Sequence, residues 1–269
     1  MTPRTILVTG STDGIGRATA KQLLELGHRV LVHGRSQPKA QARANDLARQ
    51  TGGRTEAVWG DLSSMQQVVT LAHQVHAHAP VLDVLVHNAG VYERNRRLTA
   101  EGFETTMAVN HFAPFLLTHH LLSDITTASA GRIVVVSSMT HQGARIDVAD
   151  LNFARRFDGY QAYSSSKLAN VLFARALARR LVGTPVTVNA LHPGVIDTKL
   201  LRAAFSGRGA SVEQGARTSV YLATSDEVDG ETAGYYVECR KTQPSKLALD
   251  DALGEALWQE TERQLAAFL

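Results

Sequence analysis

A single cysteine, Cys239, stands among 269 residues. That scarcity excludes an internal disulfide framework and a multi-cysteine metal cage, and it fits a reducing compartment. No apolar run is long enough to span a bilayer. The chain enters a strand almost at once, at Thr5-Ile6-Leu7-Val8, without the charged, apolar and small-residue regions of a signal peptide. The expectation is a soluble, cytoplasmic protein with no membrane partner. Charge of one sign is also missing, since 28 Lys and Arg meet 25 Asp and Glu for a net +3. A nucleic-acid surface needs clustered bases. The densest group, Arg94, Arg96 and Arg97, lies in a polar stretch after a strand and reads as a solvated loop, so no nucleic-acid partner is expected. No Pro/Ser/Gly linker, composition shift, repeat or low-complexity tract divides the chain.

What is present is an ordinary globular composition, 44% hydrophobic and 20% charged. Short β-branched runs recur at Ile6-Leu7-Val8, Val30-Leu31-Val32, Ala57-Val58-Trp59, Val84-Leu85-Val86, Ile133-Val134-Val135-Val136 and Val186-Thr187-Val188. They are continuous rather than alternating, as in strands covered on both faces, and the segments between them are long enough for crossover helices. Helices are predicted over 15–26, 38–50, 63–78, 101 to about 124, 162–181 and 212–223, with a last one in 249–269. The fold class is α/β: one Rossmann-type domain over 1–269, a doubly wound parallel sheet flanked by helices.

The first strand runs through Thr9-Gly10-Ser11-Thr12-Asp13-Gly14-Ile15-Gly16 directly into a helix. Glycines there permit a tight turn and let a pyrophosphate approach the helix N-terminus, where free N–H groups and the helix dipole favour negative charge. The second strand ends Val32-His33-Gly34-Arg35-Ser36. Where an acid would bind a ribose 2′-hydroxyl there is Gly34, and Arg35 beside it offers a donor to a 2′-phosphate. NADP(H) is therefore favoured over NAD(H), with Arg35 and Ser36 at the site, although an exposed strand-end arginine is also common.

Tyr163-Ser164-Ser165-Ser166-Lys167 opens a segment of helical period, so Tyr163 and Lys167 share a face. An ammonium one turn away lowers the pKa of a phenol, as general acid–base catalysis near neutrality requires. Ser137 and Ser138 follow the fifth strand, at the sheet edge where open parallel sheets place ligands.

The Thr-Gly-x-x-x-Gly-x-Gly turn, followed in order by these elements, resembles the short-chain dehydrogenase/reductase family. The resemblance implies that Asp61-Leu62 contact the adenine and that Asn88-Ala89-Gly90 steady the central sheet near its ribose. It picks Ser138 over Ser137 as the catalytic serine, and adds Asn110 as a tetrad member that interrupts regular helix bonding and holds a water linking Lys167 to solvent. It assigns Pro193, Gly194, Val195, Ile196 and Thr198 to the nicotinamide carboxamide. In one departure, many NADP-binding relatives carry a basic residue where this chain has Asp13. The implied chemistry is hydride transfer with a small carbonyl or alcohol substrate: Ser138 orients its oxygen, Tyr163 exchanges the proton, and Lys167 holds the ribose.

About ten extra residues between Ser138 and Tyr163, including Leu151-Asn152-Phe153, resemble the retinol dehydrogenase-like branch that also contains WW-domain oxidoreductase. A lid is expected over about 197–215, where Leu200, Leu201 and Phe205 precede Gly207 and Gly209, and its apolar residues suggest a lipophilic substrate. Phe112, Phe115, Leu116, Leu172 and Phe173 read as core by pattern, or as a homodimer or homotetramer interface by resemblance. A non-catalytic NADP(H) sensor is the alternative reading, opposed by the intact Ser138, Tyr163, Lys167 and Asn110. His73, His76 and His78 read as solvated, and Ser138 with His141 lacks a hydrolase elbow.

Overall fold

The computed structural model describes residues 2–204 and 208–269. In chain order it forms β1 (Thr5–Val8), α1 (Gly14–Glu25), β2 (Arg29–Gly34), α2 (Gln37–Thr51), β3 (Thr55–Trp59), α3 (Met65–His78) and β4 (Val84–His87). A single turn α4 (Thr105–Met107), a π-helical stretch (Ala108–Phe112) and α5 (Ala113–Thr126) follow, then β5 (Arg132–Val136), α6 (Gly159–Arg180) and β6 (Thr187–His192). The chain closes with α7 (Lys199–Ala204), α8 (Val212–Thr224), β7 (Tyr235–Val237), β8 (Arg240–Lys241) and α9 (Asp251–Leu265).

The sheet order is β3-β2-β1-β4-β5-β6-β7-β8, parallel except for the β7–β8 hairpin. Alternate strand residues feed two cores. Leu7, Leu31, Leu85 and Val135 face the layer of α3, α5, α6 and α9, while Val8, Val32, Val86 and Val136 pack in the other with residues of α1, α2 and α8. Burial on both faces explains the unbroken apolar runs. The strand direction of chain growth reverses between β1 and β4, which opens a crevice at their C-terminal ends.

Three elements differ from the sequence reading. The helix expected from Glu101 begins only at Thr105 and becomes π-helical before Pro114, which lacks an N–H for regular bonding. Strand β6 extends to His192 because Asn189, which interrupts the apolar pattern, is satisfied by Glu231 O and Gly234 N. The β7–β8 hairpin turns on Glu238 and Cys239, both at positive φ (50° and 61°). Such a turn ordinarily advertises itself through Asn or Gly, and here it does not.

The five residues read as core or interface are core: Phe112, Phe115, Leu116, Leu172 and Phe173 are all buried. Helix α9 covers them, with Trp258 4.6 Å from the Phe115 ring and stacked on Phe173. Arg180 lies 3.9 Å over Trp258 and also pairs with Glu255 of α9. Among the described residues no helix is long and apolar enough to cross a membrane.

Several histidines are buried in this core. Desolvation pushes His33 down to about 4, and His87 and His111 down to about 3. Each ring is neutral in the fold at mildly acidic pH but takes a proton below about 6.5 once unfolded. The unfolded chain therefore binds more protons below 6.5, so the stabilisation present above that pH is lost as pH falls, by up to ~1.4 kcal/mol per unit and histidine. Thermal unfolding is expected to show Tm dropping by roughly 10 °C or more between pH 7 and 5. A level Tm over that range would show that these rings do not remain neutral in the fold.

Candidate active site

The strand ends build one continuous cleft of about 1220 Å³. Buried Thr9 accepts on Oγ1 the backbone N–H groups of Asn88 (3.0 Å) and Ala89 (3.1 Å), and Asn88 Nδ2 donates to Thr9 O (2.8 Å). This ties the ends of β1 and β4 together. The turn that follows admits no side chain at Gly16, where a Cβ would collide with Gly10 O and Asn88 Nδ2. Gly14 sits at φ +55°, and Asp13 caps its N–H at 2.9 Å. Gly14, Ile15 and Gly16 thus line the cleft at the N-terminus of α1, an anion-favouring position.

Gly10, Thr12, Asp13, Asp61, Leu62, Asn88, Ala89 and Gly90 line the same cleft. Ser11 is a correction. Its buried hydroxyl donates to Val8 O and accepts from His33 N, so it braces the strands instead of facing the cleft. His33, read only as a strand residue, accepts the Gly10 N–H on Nδ1 (2.9 Å), which leaves Nε2–H to donate to Gly60 O (3.0 Å). A histidine inside a strand run carried no signal for this role. Arg35, Ser36 and Lys39 line the far end, and Arg35 and Lys39 are exposed and unpaired among the described residues. Pro193, Gly194, Val195, Ile196 and Thr198 lie on the wall after β6.

At the other end Ser138, Tyr163 and Lys167 come together. Ser138 hydrogen-bonds the Tyr163 phenol, and Lys167 Nζ lies 5.7 Å from the Tyr163 ring centre. Ser137 donates to Lys167 O at 2.6 Å and is nearly sealed, so the two serines have separate tasks: Ser137 fixes α6 to β5, and Ser138 meets the tyrosine. His141 is spent on backbone. Its Nε2 accepts the Ser245 N–H, so Nδ1–H donates to Ser138 O at 2.7 Å, and no ring nitrogen remains to activate a serine nucleophile.

Burial dominates the titration here. It pushes Tyr163 up to about 12, against the opposing Ser138 hydrogen bond, and Lys167 down to about 8. The phenol thus lies above its ordinary value and not below it as the Tyr163–Lys167 spacing suggests, with burial raising it and the Ser138 hydrogen bond opposing. Lys167 Nζ donates to Val136 O (3.0 Å).

Asn110 is fully buried within the π-helical stretch. Its Oδ1 accepts Val91 N (2.8 Å), and its Nδ2 donates to Val91 O and to Ser166 Oγ. It interrupts regular α-helix as expected, but its side chain holds backbone. Asn110 and Lys167 nevertheless approach one another: a Cβ on Gly90 would lie 3.4 Å from both Asn110 Oδ1 and Lys167 Nζ.

Of the expected lid, Leu200 and Leu201 line the cleft from α7, which Arg94 ties to the loop after β4 through Ala203 O (3.1 Å). Phe205 and Gly207 lie outside the described residues. His76 bonds Asp124 at 2.9 Å, and among the described residues no group of three or more His, Cys, Asp or Glu could hold a metal.

A family model for short chain dehydrogenases matches residues 4–209. Human retinol dehydrogenase 14 is 38% identical, with 96% of this chain and 85% of the relative covered. Bovine dehydrogenase/reductase SDR family member 13 is also 38% identical, over 98% of this chain and 73% of its own. A crystal structure of a protein from Mycobacterium paratuberculosis superposes with TM-score 0.81 at 34% identity, covering 98% of this chain and 93% of the other. A Beutenbergia cavernae protein described as an NAD(P)-dependent gluconate 5-dehydrogenase, with bound NADP, has TM-score 0.72 at 29% identity and covers 87% and 94%.

The buried ammonium yields a stability test. The Lys167 amine is charged at neutral pH although burial holds it at about 8, so the fold bears a desolvation cost there. Lys167→Met is expected to raise Tm by several degrees at pH 7, while Val136 O keeps Asn170 as a donor. Between pH 8 and about 10.5 only the unfolded lysine stays protonated, so the parent gains stability and the gap closes. Calorimetry of both proteins across that range checks this, and a variant less stable at pH 7 would contradict it.

Proposed function

The chain belongs to the short-chain dehydrogenase family, and from that premise we propose that it is an NADP(H)-dependent oxidoreductase interconverting a lipophilic carbonyl compound and its alcohol. The observation that carries this reading is the single cleft joining Arg35, the glycine turn and the Ser138, Tyr163, Lys167 group. The residues present fit the cofactor: a glycine turn that excludes a Cβ, a helix N-terminus at its base, and Arg35, unpaired among the described residues, to receive a 2′-phosphate.

When bound, the nicotinamide supplies or accepts the hydride. Ser138 holds the substrate oxygen beside the Tyr163 hydroxyl, which gives up a proton in reduction and takes one in oxidation. A phenol at about 12 keeps its proton at neutral pH, the state that reduction needs. Lys167 holds the nicotinamide ribose and places positive charge near the ring, which favours the phenolate that oxidation needs. Asn110, fixed to Val91 and Ser166, positions the segment through which the proton is replaced. Val91, Val109, Met139, Leu200 and Leu201 give the substrate end of the cleft an apolar wall, which supports a lipophilic substrate.

Two measurements test the reading. In fluorescence titrations the parent is expected to bind NADPH more tightly than NADH, and Arg35→Ala to weaken NADPH at least tenfold with little change for NADH. With lipophilic aldehydes and ketones, Tyr163→Phe is expected to bind NADPH like the parent while losing turnover by about a hundredfold or more. Equal affinity for both dinucleotides would overturn the cofactor assignment, and full turnover by Tyr163→Phe would overturn the mechanism.

A further inference from the structure

Asp13 is a carboxylate inside a turn shaped for phosphate. Both of its oxygens are engaged: Oδ1 accepts the Gly14 N–H, and Oδ2 meets Lys199 Nζ at 2.5 Å. Lys199 comes from the first residue of α7, 186 positions away, so the contact is made across the cleft rather than within the turn. Its side chain is 86% exposed and that of Asp13 64%. An ion pair this open adds little to fold stability, which directs attention to what it does to the cleft.

Asp13 and Arg35 line the same cleft. Thr12, its neighbour, places its methyl group against Gly34, and the Thr12 carbonyl accepts Arg43 Nε. Of the other cations near the turn, Arg17 and Arg43 pair with Asp46 and Lys21 with Glu25, while Arg35 and Lys39 make no ion pair with Asp13 or any other carboxylate among the described residues. Lys199 is thus the side chain paired with the Asp13 carboxylate. Its hydrogen bond holds that carboxyl below the usual carboxylate range.

We propose that Lys199 is a nucleotide-selectivity residue acting through Asp13: by masking the carboxylate, it lets the turn accept the added 2′-phosphate of NADP(H). This rests on the cofactor reading above. In a water-like medium, the repulsion from an unmasked carboxylate doubles when the phosphate facing it carries two charges instead of one. The penalty falls on NADPH more than on NADH and fades as salt shortens the Debye length from about 10 Å at 0.1 M to about 3 Å at 1 M.

Dissociation constants for NADPH and NADH, measured at low and high salt on the parent, Lys199→Ala, Asp13→Asn and the double variant, test this. Asparagine retains the helix cap, so Asp13→Asn removes only charge. Lys199→Ala is expected to raise the NADPH constant about five- to tenfold at low salt and the NADH constant no more than threefold. Asp13→Asn should restore NADPH binding to Lys199→Ala, and 1 M salt should erase most of the difference. An unchanged NADPH constant in Lys199→Ala, or an equal loss for both dinucleotides that Asp13→Asn does not rescue, overturns the inference while leaving the Arg35 result standing. A parent that binds neither dinucleotide removes the cofactor reading and this inference with it.

Discussion

The stitch between Thr9 and Asn88 is the contact on which the architecture of the site depends. At the point where the chain changes sides of the sheet, β1 and β4 run parallel and their ends would splay, because no further ladder joins them. Thr9 answers with one hydroxyl accepting two backbone donors, and Asn88 returns a bond to the Thr9 carbonyl. The same amide side chain blocks the space above Gly16. Closing the sheet and shaping the glycine turn are therefore one event, and a side chain at Gly16 would disturb both. His33 extends the constraint to a third strand, holding Gly10 on one ring nitrogen and Gly60 on the other.

At the opposite end of the cleft the organising influence is burial. A tyrosine and a lysine one helical turn apart suggest, in isolation, a phenol acidified by its neighbour. Within the fold both lose water, and desolvation shifts each toward its neutral form, the phenol upward and the amine downward. At neutral pH the phenol therefore keeps its proton, while the amine keeps its charge with its value drawn close to neutrality. Ser137 keeps the lysine in position by bonding the Lys167 carbonyl, so α6 is registered against β5 through the residue preceding Ser138.

Much of this was legible in the sequence. The six central strands and the glycine turn announce themselves through β-branched runs and spacing, and the order of the motifs along the chain places Ser138, Tyr163 and Lys167 on one crevice. What stayed hidden depends on partners far apart in sequence or on backbone closure that composition does not signal. Ser11 reads like its turn neighbours until β2 supplies His33 N and turns its hydroxyl inward. The π-helical stretch carries helical periodicity and differs only in how its backbone closes. The β7–β8 hairpin uses Glu238 and Cys239 at positive φ, where composition gives no turn signal.

The C-terminal helix shows how such distant partners reach the site. Thr261 of α9 donates its hydroxyl proton to Leu257 O, so its contact with His111 at 2.8 Å must be an Nε2–H donation from the imidazole. His111 is the residue after Asn110. A second link runs through the inserted segment, where Asn152 accepts the Glu104 N–H just before α4 and donates to Gln264 of α9. Helix α9 therefore grips the stretch bearing Asn110 from both ends while Trp258 seals Phe115 and Phe173 beneath it. A subunit contact through those two side chains would first have to displace Trp258 and with it the support of that stretch. The same helix that completes the core on this side thus holds the site and closes the apolar face of α5 and α6.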